Sequence, residues 1–358
     1  MSLKIPKNIP DNFCIAPFVS TRPDVRHKNS PCAYGALDIP QPGLSAKRKW
    51  NSKELNQLRQ DFIDNKQPDV CERCWQEERA GKESLRQRTI SYNPTAYEDL
   101  IVSGKWTDGP MSITFKSSNV CNLACRSCGS HDSNQFDNEG KQYLKEYNTR
   151  GHYIANDRPQ HVTMIDYVPI CDNVKHIEFF GGEPLLNVTQ FELLQHLVEQ
   201  GRSENITLYY NTNATNTPTE RLQELWKAFK SIEISCSIDG IENKFEYLRF
   251  PGKWDICLST LDNLQGMELG IPTRVVGNMT TSITNVVDTT EIYEWHKQRF
   301  GEYPYNSMVD SPSYMSIKNI PNKFKPQIES HLTMPEVIGY LNIDIKYPNA
   351  FKEWIKWK

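Results

Sequence analysis

Residues 111–130 read MSITFKSSNVCNLACRSCGS. The opening MSITFKSS reads as a short strand. Directly after it come Cys121, Cys125 and Cys128, spaced C-x3-C-x2-C. Three thiols this close read as metal ligands, yet a closed zinc site or iron–sulfur cluster takes four. The spacing also differs from the paired C-x2-C of common zinc sites. A strand that ends in ligands has the texture of a parallel β/α fold, where chemistry sits beyond the carboxyl ends of the strands.

The rest of the chain repeats that texture. HIEFFGGEP (176–184), ITLYYNTN (206–213), SIEISCSIDG (231–240), PTRVVGNMT (272–280) and NSMVDSPSYMSI (306–317) each hold an apolar run expected to be a strand. Helical patterns lie between them. One starts at Asn187, with Gln190 as its capping-box partner, and stops at Gly201. The next takes Thr217 as cap and Pro218 as first residue, with Leu222, Leu225, Trp226 and Phe229 as its stripe. KWDICLSTLDNLQ and VVDTTEIYEWHKQRF are two more. Six β-then-α units predict an α/β fold, a partial (β/α)6 TIM-like barrel. The strand ends offer, in order, the three cysteines, GGEP, NTNAT, SIDG and GNMT, a concave polar site.

Residues 1–95 differ: irregular, rich in Pro and polar residues, with four of the ten cysteines, Cys14, Cys32, Cys71 and Cys74. A helix is expected over NSKELNQLRQDFID, with Leu55, Leu58 and Phe62 on one face, and another from Cys71 through CERCWQEERAGKESLRQ. The region holds too little apolar material for its own core, and a metal site would supply what burial does not. Residues 108–300 form the barrel core and 301–358 a last β/α unit with a C-terminal extension. The final YPNAFKEWIKWK ends in a helical pattern without a stop signal.

Composition limits the functions. With 38% hydrophobic and 24% charged residues, the chain reads as soluble and globular. A formal net charge of −3 gives no electrostatic case for nucleic acid. No apolar run approaches the ~20 residues of a membrane helix, and MSLKIPKNIPDNF lacks a signal-peptide core. A cytoplasmic protein keeps its thiols reduced, so clustered cysteines point to metal. Cys171, Cys236 and Cys257 stand alone and read as buried structural cysteines.

A strand leading to CxxxCxxC, followed by Gly181-Gly182-Glu183-Pro184 at the next strand end, resembles the radical S-adenosylmethionine (radical SAM) enzymes from about residue 110 to 290. The resemblance implies that Cys121, Cys125 and Cys128 hold three irons of a [4Fe-4S] cluster and that SAM chelates the fourth. Reductive cleavage of SAM then gives a 5′-deoxyadenosyl radical that abstracts hydrogen from substrate. It further implies that Glu183, with the backbone of Gly181 and Gly182, receives the SAM amino group. Asn213 matches a Thr-Asn-Gly turn, although Ala214 replaces the glycine. Ser237 and Asp239 match residues that reach the ribose, Arg249 one that pairs with the SAM carboxylate, and Asn278 a position near the adenosine. Ser127 departs from the family, which often has an aromatic residue there against the adenine.

The stretches around Cys14, Cys32, Cys71 and Cys74 resemble the auxiliary-cluster segments of SPASM and twitch domains, placed here before the barrel. That implies a second [4Fe-4S] cluster in electron transfer, an external donor such as a flavodoxin or ferredoxin, and a peptide or protein side chain as substrate. The alternatives are a radical SAM dehydrogenase, mutase or cyclase on a sugar or nucleotide, and, more remotely, a non-catalytic zinc-binding module. A zinc reading gives Cys121, Cys125 and Cys128 a distant fourth ligand such as His131 and makes the N-terminal four a structural zinc site.

Overall fold

The computed structural model describes residues 9–24, 29–35, 37, 44–92, 95, 109–137, 141, 162–310 and 313–343. Its centre is one curled sheet of eight strands. In chain order they are β1 (Ser20–Pro23), β2 (Asn29–Ser30), β3 (Ser112–Phe115), β4 (His176–Phe179), β5 (Thr207–Thr212), β6 (Ser231–Ser237), β7 (Thr273–Thr281) and β8 (Tyr305–Met308). They lie side by side as β2-β1-β3-β4-β5-β6-β7-β8. All neighbours run parallel except β1 and β2. Seven parallel strands in a half-barrel fit the expected partial TIM-like barrel.

Period-two side chains divide the sheet's faces. Ile113, Phe115, Ile177, Phe179, Leu208, Tyr210, Ile232 and Ile234 are buried in the main core. The helices Gln190–Glu199, Glu220–Trp226 and Trp254–Gln265 supply Leu193, Leu194, Leu197, Leu222, Trp226, Cys257, Leu261 and Leu264 to it. Each buried Leu or Ile is worth about 1.5–3 kcal/mol of transfer energy, so this face holds the barrel together. Thr114, Glu178, Asn211 and Asn278, on the opposite faces of their strands, are only partly buried and line the concave side. Cys171, Cys236 and Cys257 are buried in the main core as expected.

The structure corrects three local expectations. The helix after β4 starts at Gln190 with Thr189 as N-cap, and Asn187 instead turns its side chain to Thr189. The following helix is capped by Thr219, whose hydroxyl accepts from Leu222 N–H, not by Thr217. The single helix expected from Cys71 is two, Glu72–Arg79 and Leu85–Tyr92, parted at Gly81, where φ is +74°. The terminal YPNAFKEWIKWK lies outside the described residues.

A larger correction concerns the N-terminal region. It builds a core of its own: Phe13, Cys14, Ile15, Phe18, Val19, Leu58, Phe62, Trp75 and Ile90 are buried together. It is also continuous with the barrel. β1 pairs with β3 and extends one edge of the sheet. Arg73, between Cys71 and Cys74, reaches the other edge, donating to Met308 O at 2.9 Å and pairing with Asp310 at 3.6 Å. Arg88 donates to the Tyr305 hydroxyl at 2.6 Å. The cysteine-bearing segment therefore spans the gap between the two edges of the half-barrel.

Candidate functional site

The loop after β3 is shaped by its neighbours. Ala124 N–H donates to Phe250 O at 2.6 Å and Arg126 N–H to Leu248 O at 2.8 Å. Asn213, in the turn after β5, donates its amide to Asn122 Oδ1 at 2.9 Å and lies 3.9 Å from Cys121 Sγ. Leu123 N–H points at the same sulfur from 3.4 Å. Cys121 and Cys125 are buried and Cys128 half-buried, around Leu123. Burial pushes the Cys121 thiol up to about 11, against the Leu123 N–H. A hydrogen bond from Cys128 holds Cys125 below the usual thiol range. Three thiols in a loop with N–H groups aimed at sulfur form a soft donor set suited to iron–sulfur ligation. Among the described residues, no three His, Cys, Asp or Glu are grouped closely enough to grip a single metal ion. A cluster makes a different demand, giving each thiolate its own iron.

The GGEP loop packs under this one. Gly181 and Gly182 have φ of +79° and +61°. A Cβ at Gly182 would stand 2.4 Å from Val120 O, and one at Gly181 2.3 Å from Lys116 Cγ. Only glycine meets both demands. Glu183 is fully buried, and its carboxylate is taken up by the protein itself. It accepts from Leu185 N–H at 3.1 Å, Thr212 Oγ1 at 2.8 Å and Asn213 N–H at 2.7 Å. Burial pushes its pKa up to about 7 against these donors. Its own N–H donates to Val120 O at 2.7 Å. Glu183 thus fastens three strand-end loops to one another. Gln190 supports the loop from below, donating to Pro184 O and Asn187 O and accepting from Tyr210, which in turn accepts from Trp226. No motif flagged this chain of Gln190, Tyr210 and Trp226; its residues read only as helix and strand.

Ala214 sits at φ +57°, fully buried. The left-handed turn that the family fills with glycine is kept here by alanine, at a cost of about 1–2 kcal/mol. Asp239 does not stay free beside Ser237: it pairs with Arg249 at 2.7 Å and accepts from Thr280 N–H at 2.7 Å. Read alone, Arg249 is a surface ion-pair residue; the structure buries it, with Cys125 and Cys128 inside its electrostatic reach and its Nε without a partner. Ser127 has no aromatic side chain, but Tyr247 and Phe250 flank its neighbour Arg126 with exposed rings. Asn278 donates across to Asn211 at 3.2 Å.

Cys14, Cys32, Cys71 and Cys74 line one cavity with Tyr34 and Arg86. Burial raises all four thiols, Cys74 to about 12. Gly35 N–H donates to Cys32 Sγ at 3.2 Å, and Arg22 and Arg73 lower the cost of a thiolate at Cys32. The four cysteines, up to 60 positions apart in sequence, share the lining of one cavity.

The family model described as the radical SAM superfamily matches residues 115–295, half of the chain. The chain belongs to the radical SAM superfamily, which implies an enzyme with a [4Fe-4S] cluster and SAM. An uncharacterized protein of Methanocaldococcus jannaschii is 31% identical over 186 residues, covering 50% of this chain and 54% of that one. The chain thus spans about half the length of this curated relative. Among solved structures, anSMEcpe with bound AdoMet and Cp18Cys peptide is 16% identical with a TM-score of 0.37, covering 61% of this chain and 60% of that chain. Streptococcus suis SuiB bound to S-adenosylmethionine is 14% identical with a TM-score of 0.41, covering 80% and 61%. No described helix is long and apolar enough to cross a membrane.

Proposed function

We propose that this chain is a radical SAM enzyme acting on a peptide or protein side chain, with two [4Fe-4S] clusters. Cys121, Cys125 and Cys128 hold the first and leave one iron for SAM; Cys14, Cys32, Cys71 and Cys74 hold the second. The observation that carries this reading is the sorting of seven cysteines into two separate sets, three at a strand end and four around one cavity. When bound, the first cluster and SAM supply reductive carbon–sulfur cleavage and a 5′-deoxyadenosyl radical for hydrogen abstraction.

The chain's own residues position these groups. Gly181 and Gly182 bring backbone, without Cβ, against the cysteine loop. Glu183 acts through the loops it fastens, since its oxygens already accept three hydrogen bonds. Arg249, held by Asp239, keeps further guanidinium donors for the SAM carboxylate. Ser237, at the end of β6, takes the ribose in this reading. The four-thiol set, closed by protein ligands, serves electron transfer with an external donor of the flavodoxin or ferredoxin kind.

Anaerobic purification tests this. Iron at about eight per chain is expected, four per cluster. With SAM and dithionite the protein forms 5′-deoxyadenosine. Joint replacement of Cys121, Cys125 and Cys128 by Ala abolishes that product, whereas Cys71→Ala with Cys74→Ala removes about half the iron and leaves SAM cleavage. Stoichiometric zinc without iron overturns the reading.

A further inference from the structure

The concave face holds a carboxylate that nothing in the site above uses. Glu178 is the third residue of β4, on the face opposite Ile177 and Phe179. Thr114, its register partner on β3, donates to Oε2 at 2.9 Å. Asn211 on β5 donates to Oε1 at 3.1 Å. Asn278 on β7 donates to Asn211 Oδ1 at 3.2 Å, reaching across β6. Four strands thus contribute one row of hydrogen bonds across the floor of the half-barrel.

Among the described residues two ends of this row are incomplete: Glu178 has no cation and Asn278 Oδ1 no donor. Among the described residues Glu178 accepts only from the neutral Thr114 and Asn211 side chains. Cations elsewhere on and around the sheet have acidic partners: Arg22 with Asp24, Lys116 with Asp132, Arg249 with Asp239 and Arg274 with Glu233. Burial lowers the pKa of His176, next but one on β4, against the pull of Glu178 and Glu233. At the other end, Asn278 Oδ1 is buried and has no partner. A half-buried carboxylate without a cation and a buried amide oxygen without a donor are both costly unless a ligand completes them. Asn278, which the family resemblance puts near the adenosine, also joins this floor through its hydrogen bond to Asn211.

We infer that the floor is a cation-binding subsite: the substrate presents an ammonium or guanidinium group, a lysine or arginine side chain, to Glu178 and to Asn278 Oδ1. This rests on the peptide reading above and names the side chain that enters the half-barrel. Charge-assisted hydrogen bonds to a carboxylate in a low-dielectric recess would orient that side chain below the reacting groups.

The test is calorimetric titration of the reconstituted protein with SAM and no reductant, so that no turnover occurs. The probes are Nα-acetyl-lysine, Nα-acetyl-arginine and Nα-acetyl-norleucine methylamides. The cationic probes are expected to bind at least about tenfold more tightly than norleucine, and whichever of the two binds better identifies the side chain. Glu178→Gln should erase the preference and Glu178→Asp retain part of it, with iron content confirming that each variant is loaded. Equal affinity of the three probes, no binding of any, or an unchanged preference in E178Q overturns the inference. Absence of iron or of 5′-deoxyadenosine in the unaltered protein is instead a failure of the proposed function.

Discussion

At Glu183 motif and structure give one residue two descriptions. The GGEP pattern marked a strand-end loop, and its glycines were legible because each answers a steric demand that only one residue type meets. What the carboxylate touches was not legible, because Thr212 and the Asn213 N–H arrive from another strand. Glu183→Gln leaves one of the three donors facing an NH2 group. The expected loss is about 1–3 kcal/mol of stability, read from chemical denaturation, together with weaker SAM binding. His296 makes a second prediction at this scale. Its Nε2 bonds to Ile238 O at 3.0 Å, while Nδ1 is buried with no partner. Burial, with no acceptor for a second proton, lowers its pKa from 6.5 to about 4. The folded state therefore binds fewer protons than the unfolded state between those values. Its stabilising share, about 3 kcal/mol, is complete above pH 6.5 and fades as pH falls toward 4. Denaturation midpoints measured from pH 7 to 4.5 check this, with His296→Phe flattening the profile.

The strands and their helices were the most legible elements, since apolar runs bounded by glycine and polar turns recur along the barrel. Their boundaries were less so. Thr217 and Thr219 both fit a cap before Glu220, and only the backbone course chooses between them. Gly277 shows what an element asks of a single position. It lies inside β7, where the helix Thr289–Phe300 crosses closely. A Cβ there would stand 1.9 Å from His296 Nδ1 and 2.9 Å from Phe300 Cδ2. Because the imidazole is fixed by Ile238 O, it has little room to retreat. Gly277→Ala is expected to cost about 3 kcal/mol, seen as a fall in thermal midpoint, while iron content per folded chain stays unchanged.

For the whole molecule, the sequence suggested an irregular N-terminal segment beside a barrel, whereas the structure makes that segment the barrel's missing side. β1 was hidden because Ser-Thr-Arg-Pro is short, polar and ends in proline, features that carry no periodic signal. The contacts at the far edge are single residues separated by more than 200 positions, beyond the reach of any local pattern. Arg73 is their centre: it stacks on Tyr34 at 3.9 Å and pairs with buried Glu77 at 3.7 Å besides binding Met308 O and Asp310. Arg73→Met should cost about 2 kcal/mol and raise amide exchange selectively in β8 and the helix Glu72–Arg79. Uniform protection there would show that the two edges do not depend on this bridge. The same bridge fixes an order of assembly. The strand that receives Arg73 and Arg88 is made more than 200 residues after the cysteine segment. Closing so long a loop is slow, and it comes only after the sheet has formed. The contacts that brace the four-cysteine segment against the far edge are therefore among the last to form, long after the segment's own local core can assemble.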